Sequence, residues 1–156
     1  MEHMVKAQVI TKDKERVLFN LLQKYLYEMT AYYDDPMDED GNFSYKYLPY
    51  YFTDKDRQAY FLYDDETMIG FALINTHSFT GEPIDNCIAE FTIFPAYRHH
   101  GKGMEAIEAL RAVRKGTWQL KYSTVNKQGA AFWQRVKKKY DGKEQNLEGT
   151  EIAITF

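Results

Sequence analysis

One stretch of the sequence sets the interpretation of the rest: Phe94-Pro95-Ala96-Tyr97-Arg98-His99-His100-Gly101-Lys102-Gly103-Met104. A predicted strand stops at Pro95, a turn with two glycines follows, and an amphipathic helix begins at once. Glycine lets the backbone approach a ligand closely, and the first N–H groups of a helix have no acceptors within it. Together with the helix dipole, such groups bind phosphate or pyrophosphate. We expect Arg98 and Lys102 to add mobile positive charge there.

Two other phosphate motifs fit this stretch less well. The nucleotide-triphosphate loop requires Gly-x-x-x-x-Gly-Lys-Ser/Thr, but here Gly103 follows Lys102. The dinucleotide fingerprint requires a third glycine, which the stretch lacks. Because the two glycines could also serve only to make a turn, the interpretation needs support from the rest of the chain.

Around this stretch, the pattern of apolar residues predicts strands and helices with no internal repeat or linker. The spacing from Val17 to Met29 is helical, and Thr11 or Asp13 is positioned to cap that helix. A turn-rich acidic loop follows at 34–42. The other predicted elements are strands at Val5–Ile10, Ala59–Tyr63, Thr67–Thr76, Cys87–Phe94, Trp118–Val125 and Glu151–Phe156, helices at Gly103–Arg114 and Lys127–Tyr140, and a covering loop or short helix at Tyr45–Phe52.

Length and composition indicate one ordinary globular domain. The chain has 156 residues, of which 44% are hydrophobic and 28% charged, so it has little room for two domains and is too apolar for wholesale disorder. Its longest uncharged apolar run, Met68 to Ile74, is far shorter than the roughly 20 residues that cross a bilayer. The N-terminus lacks the profile of a secretory signal, and the single Cys87 excludes an internal disulfide. We expect one cytoplasmic domain over residues 1–156, with no membrane segment.

The net charge of −3 conceals a division along the chain. From Glu28 to Glu66 there are eleven acidic residues against three basic ones, a local balance of −8. From Arg98 to Lys143 there are twelve basic residues against three acidic ones, a balance of +9. Two interpretations stay open: opposite walls of one cleft, suited to a cationic and an anionic ligand, or two unrelated solvated surfaces.

The segment Arg98-His99-His100-Gly101-Lys102-Gly103 resembles the acyl-CoA signature of the GNAT superfamily of N-acyltransferases, and the preceding strand resembles its usual lead-in. A second match lies downstream, where Asn126, Gly129, Phe132 and Trp133 resemble the pattern Asn-x-x-Ala-x-x-Phe-Tyr at the start of that family's last helix. The order of elements also agrees, so the resemblance covers nearly the whole chain. It implies a mixed α/β (α+β) fold: a mostly antiparallel twisted sheet with helices on both faces, and two strands that splay at the acyl-CoA site.

The resemblance implies a site for acetyl-CoA. The backbone N–H groups of the signature turn would hold the pyrophosphate. The strand at 91–94 should splay from 122–124 and leave backbone groups free for the pantetheine arm. Asn126 would contact that arm, cap the last helix, or do both. The cofactor-binding residues implied in this way are Phe91, Thr92, Ile93, Phe94, Arg98, His99, His100, Gly101, Lys102, Gly103, Met104, Asn126, Phe132 and Trp133.

The resemblance also implies the chemistry, which is attack of an amine on the acetyl thioester. An amine with a pKa near 10.4 is mostly protonated at pH 7, so a general base is useful. Glu90, on the strand before the signature, is the candidate base, and strand alternation predicts that Ile88 and Thr92 share its face. A purely structural or substrate-orienting carboxylate is the alternative.

The chain departs from the family at Trp133, where many members have a tyrosine that protonates the leaving thiolate. An indole N–H cannot act as that acid. A thiolate with a pKa near 8.5 leaves readily in any case, so the tyrosine is not indispensable. Tyr122 and Tyr140 are the candidate substitutes.

The region that sets acceptor specificity in the family is acidic and aromatic here, and we expect Tyr32, Tyr33 and Asp34 to bind substrate. Carboxylates beside aromatic faces suit a cationic amine through charge and cation–π contact. The expected partner is a small-molecule amine or a protein lysine. The alternative is an exposed acidic loop without a ligand.

These observations predict an acetyl-CoA-dependent N-acetyltransferase acting on a primary amine by direct attack; the alternative is a catalytically silent acyl-CoA-binding or regulatory module of the same fold. Adjacent His99 and His100 do not predict a metal site, because neighbours in such a turn rarely face one ion. The run 137–139 is expected to be a solvated face or a counter-charge for CoA, not a nucleic-acid site. The many aromatic residues are compatible with a homodimer.

Overall fold

A computed structural model describes residues 4–156, and within that range the chain forms one seven-stranded sheet with three α-helices. The first three residues, part of the N-terminus from which we expect no secretory signal, lie outside the described residues. The strands are β1 (Val5–Val9), β2 (Gln58–Asp64), β3 (Thr67–Asn75), β4 (Asn86–Ile93), β5 (Trp118–Ser123), β6 (Lys143–Asn146) and β7 (Glu151–Thr155); the helices are α1 (Glu15–Met29), α2 (Lys102–Val113) and α3 (Lys127–Tyr140). Short 3₁₀ turns occupy Lys12–Lys14, Leu48–Phe52 and Pro95–Tyr97.

The strand order is β1-β2-β3-β4-β5-β7-β6, and each neighbouring pair is antiparallel except β4 and β5. That pair is parallel because α2 connects the two strands as a crossover. The predicted mixed, mostly antiparallel sheet is therefore confirmed. The sequence pattern missed β6, since Lys143–Asn146 is polar and exposed along its whole length and has no apolar alternation to reveal it.

Each face of the sheet has its own core. Helices α2 and α3 pack on one face, where Ile107, Leu110 and Val136 are buried with inward residues of the strands. Helix α1 and the 3₁₀ turn at 48–52 pack on the other face through Leu18 and Leu22, both fully buried. Helices α2 and α3, which belong to the basic segment, therefore lie on the face opposite α1 and the 3₁₀ turn at 48–52.

The start of α1 differs from the prediction. Neither Thr11 nor Asp13 caps the helix, because residues 12–14 form a 3₁₀ turn first and α1 begins at Glu15. The Thr11 hydroxyl donates to the Asp13 carboxylate, and its oxygen accepts from no helix amide. The inward spacing of the helix is unaffected, so its packing follows the predicted pattern.

Within residues 4–156, no helix is long and apolar enough to cross a membrane. Over the same residues, no group of three or more His, Cys, Asp or Glu side chains is arranged to hold a metal ion.

Candidate active site

The site begins where β4 and β5 separate. The two strands pair only from Asn86–Trp118 to Ile88–Leu120, and the described backbone shows no pairing between them after that point. Beyond it, β4 continues alongside β3 as far as Ile93, while β5 continues alongside β7 to Ser123. The side of β4 that faces β5 is thus open from residue 89 onward, as the family resemblance implies for 91–94.

The signature turn lies at the end of this opening. His99 and Gly101 both have positive φ, at 67° and 76°, and the residues around them do not. Alternation of this kind turns successive backbone N–H groups toward one side and makes an anion-binding concavity. Helix α2 starts directly afterwards at Lys102, so the amides of its first turn have no acceptor within the helix. Residues 99–104 therefore contain the backbone N–H groups of the turn and those of the first turn of α2.

The side chains of the turn do not supply the mobile charge that we expect from the sequence. The Arg98 guanidinium donates Nη1 and Nη2 to the two Glu28 carboxylate oxygens at 2.6 and 2.8 Å and Nε to the Ile93 carbonyl at 2.6 Å. The Lys102 ammonium lies 3.4 Å from carboxylate oxygens of both Asp64 and Glu105, with 17% of its side chain exposed. That expectation is wrong for both residues.

A glycine allows the last helix to approach the turn. A Cβ on Gly103 would lie 2.7 Å from the Phe132 ring, so only glycine permits α3 to pack this closely against the start of α2. Phe132 in turn stacks on Phe91 of β4 at a ring-centroid distance of 5.8 Å, and Trp133 contacts both rings edge-on. Three predicted cofactor-site residues therefore form one aromatic cluster across the opening.

Asn126 caps α3. Its side-chain oxygen accepts from the Gly129 amide at 2.9 Å, which is the geometry of an N-cap. A Cβ at Gly129 would lie 2.7 Å from the Asn126 amide nitrogen, which explains glycine where the family pattern has alanine. Asn126 therefore has the capping role that the sequence left open. The same side chain could also contact the pantetheine arm, because capping uses only its oxygen atom.

Glu90 lies on β4 just past the last residue that pairs with β5. The register with β3 shifts between Leu73 and Ile74, so Ala89 is an extra residue in β4. Glu90 pairs with Leu73, which belongs to the core on the α1 side, whereas Ile88 pairs with Ile74 in the opposite core. The prediction that Ile88 shares a face with Glu90 is therefore wrong, because the bulge changes the phase of the strand.

Thr92, by contrast, does lie on the same face as Glu90. It pairs with Phe71 of the α1-side core, and its hydroxyl accepts from Arg98 Nη2 at 3.2 Å. The bulge therefore leaves Glu90 and Thr92 together beneath α1.

Two tyrosines hold the Glu90 carboxylate. The Tyr25 hydroxyl of α1 donates to Oε1 at 3.0 Å, and the Tyr45 hydroxyl donates to Oε2 at 2.8 Å. Burial raises the pKa of Glu90, and the two phenol hydrogen bonds and the Lys121 charge partly offset that effect. Burial and the negative Glu90 also raise the pKa of both phenols well above the usual value, so both remain donors.

Sequence reasoning missed both tyrosines as members of the site. Tyr25 occupies an inward position of a helix and was predicted only as part of its apolar face, while Tyr45 lies in a segment predicted only as a covering loop. A usable signal was available, because a buried tyrosine hydroxyl needs a hydrogen-bond partner. Nothing in the chain order, however, indicates that the shared partner is Glu90.

The three predicted substrate-binding residues are not placed alike. Tyr33 approaches the site: burial, then the negative charges of Glu151 and Glu90, raise its pKa, and the Ser123 amide opposes this. Tyr32 is half-buried, and Asp34 is exposed at the start of the acidic loop. The acidic loop connects Tyr33 to the segment of Tyr45, and its residues Met37, Gly41 and Asn42 line a cavity with α1.

Neither candidate substitute for the missing tyrosine is a clear acid. The Tyr122 hydroxyl accepts from Gln134 Nε2 at 2.6 Å on the buried side of β5. Tyr140 lies at the far end of α3, stacked on Phe156 with the Arg111 guanidinium 4.0 Å above its ring. The phenols that the structure places beside Glu90 are those of Tyr25 and Tyr45.

Cys87 has no arrangement for nucleophilic chemistry. It is fully buried in β4, and burial raises the pKa of its thiol to about 12. A thiol that stays protonated at neutral pH is a poor nucleophile, and the residue is part of the core.

Solved structures with the same fold are acetyltransferases. An acetyltransferase from Thermus thermophilus matches with a TM-score of 0.72 at 17% identity, over 99% of each chain. The PaiA N-acetyltransferase of Thermoplasma acidophilum, solved in complex with coenzyme A, matches with a TM-score of 0.64 at 13% identity over 99% of this chain and 98% of that one. The ribosomal-protein-S18-alanine N-acetyltransferase of Escherichia coli gives 0.59 at 13% identity over 97% and 91%.

The protein therefore has the GNAT acetyltransferase fold, as the sequence resemblance predicts. At these identities the likeness shows the fold. No protein-family model matches the sequence, and no curated protein shows significant similarity to it.

Proposed function

We propose that this protein is an acetyl-CoA-dependent N-acetyltransferase that acts on the primary amine of a cationic acceptor. One observation carries the proposal: the opening between β4 and β5 has, at one end, a turn with two residues of positive φ before the start of α2, and a buried carboxylate beside it. The turn would bind the pyrophosphate of an acyl donor, and the carboxylate would act on an amine acceptor at the other end of that donor. The coenzyme A complex of the Thermoplasma acidophilum structure supports the choice of donor.

The donor fits the backbone of this chain better than its side chains. The amides at 99–104 would hold the pyrophosphate, and the open side of β4 from Phe91 to Ile93 would bind the pantetheine arm. Met104 and the cluster of Phe91, Phe132 and Trp133 would contact the donor from the apolar side. The exposed imidazoles at 99 and 100 would add polar side chains that, unlike Arg98 and Lys102, are not engaged by a carboxylate in the described part of the chain.

Acetyl transfer to an acceptor that arrives as an ammonium group moves two protons: nitrogen loses the first to solvent before attack, which frees its lone pair, and the second as the C–N bond forms. The amine nitrogen attacks the thioester carbonyl carbon, a C–N bond forms, and the C–S bond breaks with its electron pair leaving on sulfur. Glu90, directly or through water, takes the second of these protons. The thiolate, with a pKa near 8.5, leaves without an obligatory acid, which is consistent with Trp133 in place of a tyrosine.

The acceptor is proposed from the chemistry of Tyr33 and the acidic loop, which we propose to border the entrance to the site. The exposed acidic residues at 34–40, together with Tyr33, give a negative and aromatic approach that suits an ammonium group. A small cationic amine fits this entrance. A protein amine is the second candidate, because the Escherichia coli neighbour is named for a ribosomal-protein substrate.

The first test is calorimetric titration with acetyl-CoA of the wild type, Gly101→Asp and Gly149→Asp. Both glycines have positive φ, and a Cβ at either meets no atom within 4 Å, so the substitutions are matched in backbone strain and charge. Asp tolerates this conformation and would place a negative charge in the proposed pyrophosphate site only at 101. We expect affinity to fall at least about tenfold for Gly101→Asp, given that one charge contact is worth about 1.4 kcal/mol or more, and to change little for Gly149→Asp.

A panel of amines, with thiol release as the readout, then separates an enzyme from a silent binding module. Preferential turnover of cationic amines supports the full proposal. Binding of acetyl-CoA without turnover of any amine or basic peptide would favour the silent module. No binding at millimolar acetyl-CoA by the folded protein would remove the acyltransferase claim.

A further inference from the structure

The Glu90 carboxylate is held more elaborately than a simple base requires. Each of its two oxygens accepts one phenol hydrogen, and the donors come from different segments: Tyr25 from the middle of α1, and Tyr45 from the chain after it. An ionised carboxylate offers about four lone-pair sites, so two remain for an ammonium group or a water molecule. The phenols therefore fix the direction in which the free lone pairs point.

The two donors also oppose protonation of Glu90. Each phenol hydrogen is directed at one carboxylate oxygen, so a proton added to either oxygen would weaken the phenol hydrogen bond at that oxygen. A hydrogen bond to the charged form of a group favours that form. In a buried position, where desolvation favours the neutral acid, this is the contribution that keeps a carboxylate available as a base.

The two tyrosines are anchored differently. Tyr25 is fixed in α1, and its ring lies edge-on to Phe71 at 5.6 Å. Tyr45 lies in residues 30–47, which contain no regular helix or strand, and this segment is bonded to the middle of α1 at Phe43. There the Gln23 side chain accepts from the Phe43 amide at 2.6 Å and donates to its carbonyl at 2.8 Å.

We propose that Tyr25 and Tyr45 are positioning residues that hold Glu90 ionised and aimed at the acceptor, and that Tyr45 does so only while residues 30–47 are docked on α1. The inference rests on the proposed function, since it assigns the two phenols to the base of that reaction. It makes the loop that borders the acceptor entrance part of the catalytic machinery. Removing one phenol, or releasing the loop, should leave Glu90 easier to protonate.

Other groups near Glu90 act on it as well and stay unchanged in the test. Lys121 of β5 favours the ionised carboxylate, whereas the phenols of Tyr33 and Tyr51 and the thiol of Cys87 are neutral at working pH. Tyr51 also interacts with Tyr45, so it is unsuitable as a control. Tyr60 is suitable, because its buried hydroxyl donates to Gln58 Oε1 at 2.7 Å on the opposite side of the sheet.

The experiment follows the titration of Glu90 directly, by carbon NMR of the full chain labelled at the glutamate carboxyl, with Glu90→Gln to assign the signal. Tyr25→Phe and Tyr45→Phe are each expected to raise the titration midpoint, the double variant to raise it further, and Tyr60→Phe to leave it unchanged. Equal midpoints in all four variants would overturn the inference. Should Tyr45→Phe fail to fold, Tyr25→Phe alone decides the same question.

A second arm tests the loop. Gln23→Leu removes both bonds to Phe43 without touching Glu90, and Lys24→Leu, at an exposed position of the same helix, is its control. We expect Gln23→Leu to raise the Glu90 midpoint as Tyr45→Phe does, with no change for Lys24→Leu. A midpoint that moves in Tyr45→Phe but not in Gln23→Leu would refute the dependence on loop docking.

The pH profile of acetyl transfer separates this inference from the proposed function. In Tyr25→Phe and Tyr45→Phe the acid limb of kcat/KM should move to higher pH, so that activity at its acid end falls about tenfold more than activity on the plateau. A uniform loss at every pH would indicate a merely structural role. If the NMR midpoint moves but no amine is ever acetylated, the phenol pair stands and the proposed function fails.

Discussion

The turn at 98–104 and the carboxylate site around Glu90 are built by opposite means. The turn uses consecutive residues, its donors are backbone amides, and two residues of positive φ shape it. The carboxylate site uses side chains that are 65 and 45 residues away from Glu90 along the chain. A backbone site is therefore encoded locally, whereas a side-chain site depends on the sheet and helices being correctly assembled.

The largest expected effect removes the carboxylate and leaves the turn intact. Glu90→Gln should lower kcat at least about tenfold, because a general base contributes about 10²–10⁴-fold and Gln cannot accept the proton. Acetyl-CoA affinity, measured by calorimetry, should stay within about twofold of the wild type. The reason is that the side chain at position 90 contacts Tyr25 and Tyr45 and does not form the turn. Unchanged turnover would remove Glu90 from the role of base without affecting the turn.

The same comparison explains how much the sequence alone could reveal. The turn and helix α3 at Lys127–Tyr140 follow from local patterns, which is why they were predicted with nearly the observed boundaries. The GNAT fold was predicted from the family resemblance that two such local motifs carry. The partner of Arg98 could not be predicted, because Glu28 lies 70 residues earlier in the chain. The prediction of the sheet face on which Ile88 lies was wrong, because a one-residue bulge at Ala89 leaves no recognisable pattern in a strand of mostly apolar residues.

The second prediction tests whether Arg98 joins the two regions structurally. Its guanidinium forms a two-bond contact with Glu28 at the end of α1, with 21% and 35% of the two side chains exposed. Arg98→Gln and Glu28→Gln should each lower the unfolding free energy by about 1–2 kcal/mol in urea titrations, because each leaves a charged partner half-buried. The double variant should be no worse than the more damaging single one.

A matched control for that cycle is Lys137→Gln. The Lys137 ammonium lies 3.5 Å from a Glu144 carboxylate oxygen, and 33% and 32% of these two side chains are exposed. A single long contact of this kind at the surface contributes roughly 0–1 kcal/mol to stability. If the losses in the Arg98 and Glu28 variants add in the double variant, the contact between them does not stabilise the fold, and Arg98 is again a candidate for binding the donor.

The third prediction separates the two roles of Asn126. Asn126→Ala should lower the unfolding free energy by about 1 kcal/mol through loss of the cap, whereas Asn126→Ser, which also caps helices, should retain most of the stability. If Asn126 also contacts the donor, the serine variant should still bind acetyl-CoA several-fold more weakly, since the shorter side chain cannot reach both partners. Wild-type affinity in the serine variant would show that Asn126 acts only as the cap.

The smallest expected effect is the pH dependence of the difference in unfolding free energy between Glu90→Gln and the wild type. Burial raises the pKa of Glu90 in the folded state, so the folded protein holds this proton more tightly than the unfolded chain does. The ionised group therefore costs stability above the folded pKa and costs none below the unfolded value of about 4.3. Glu90→Gln should be more stable than the wild type at neutral pH, with the difference disappearing as the pH falls through that window. The effect is small because the two phenol bonds and Lys121 offset part of the desolvation.

The control is Asn126→Ser, which changes no titratable group and should differ from the wild type by a constant unfolding free energy over the same pH range. A pH-independent gain in Glu90→Gln would contradict the prediction, because it would mean that the phenols fully compensate the desolvation of the carboxylate.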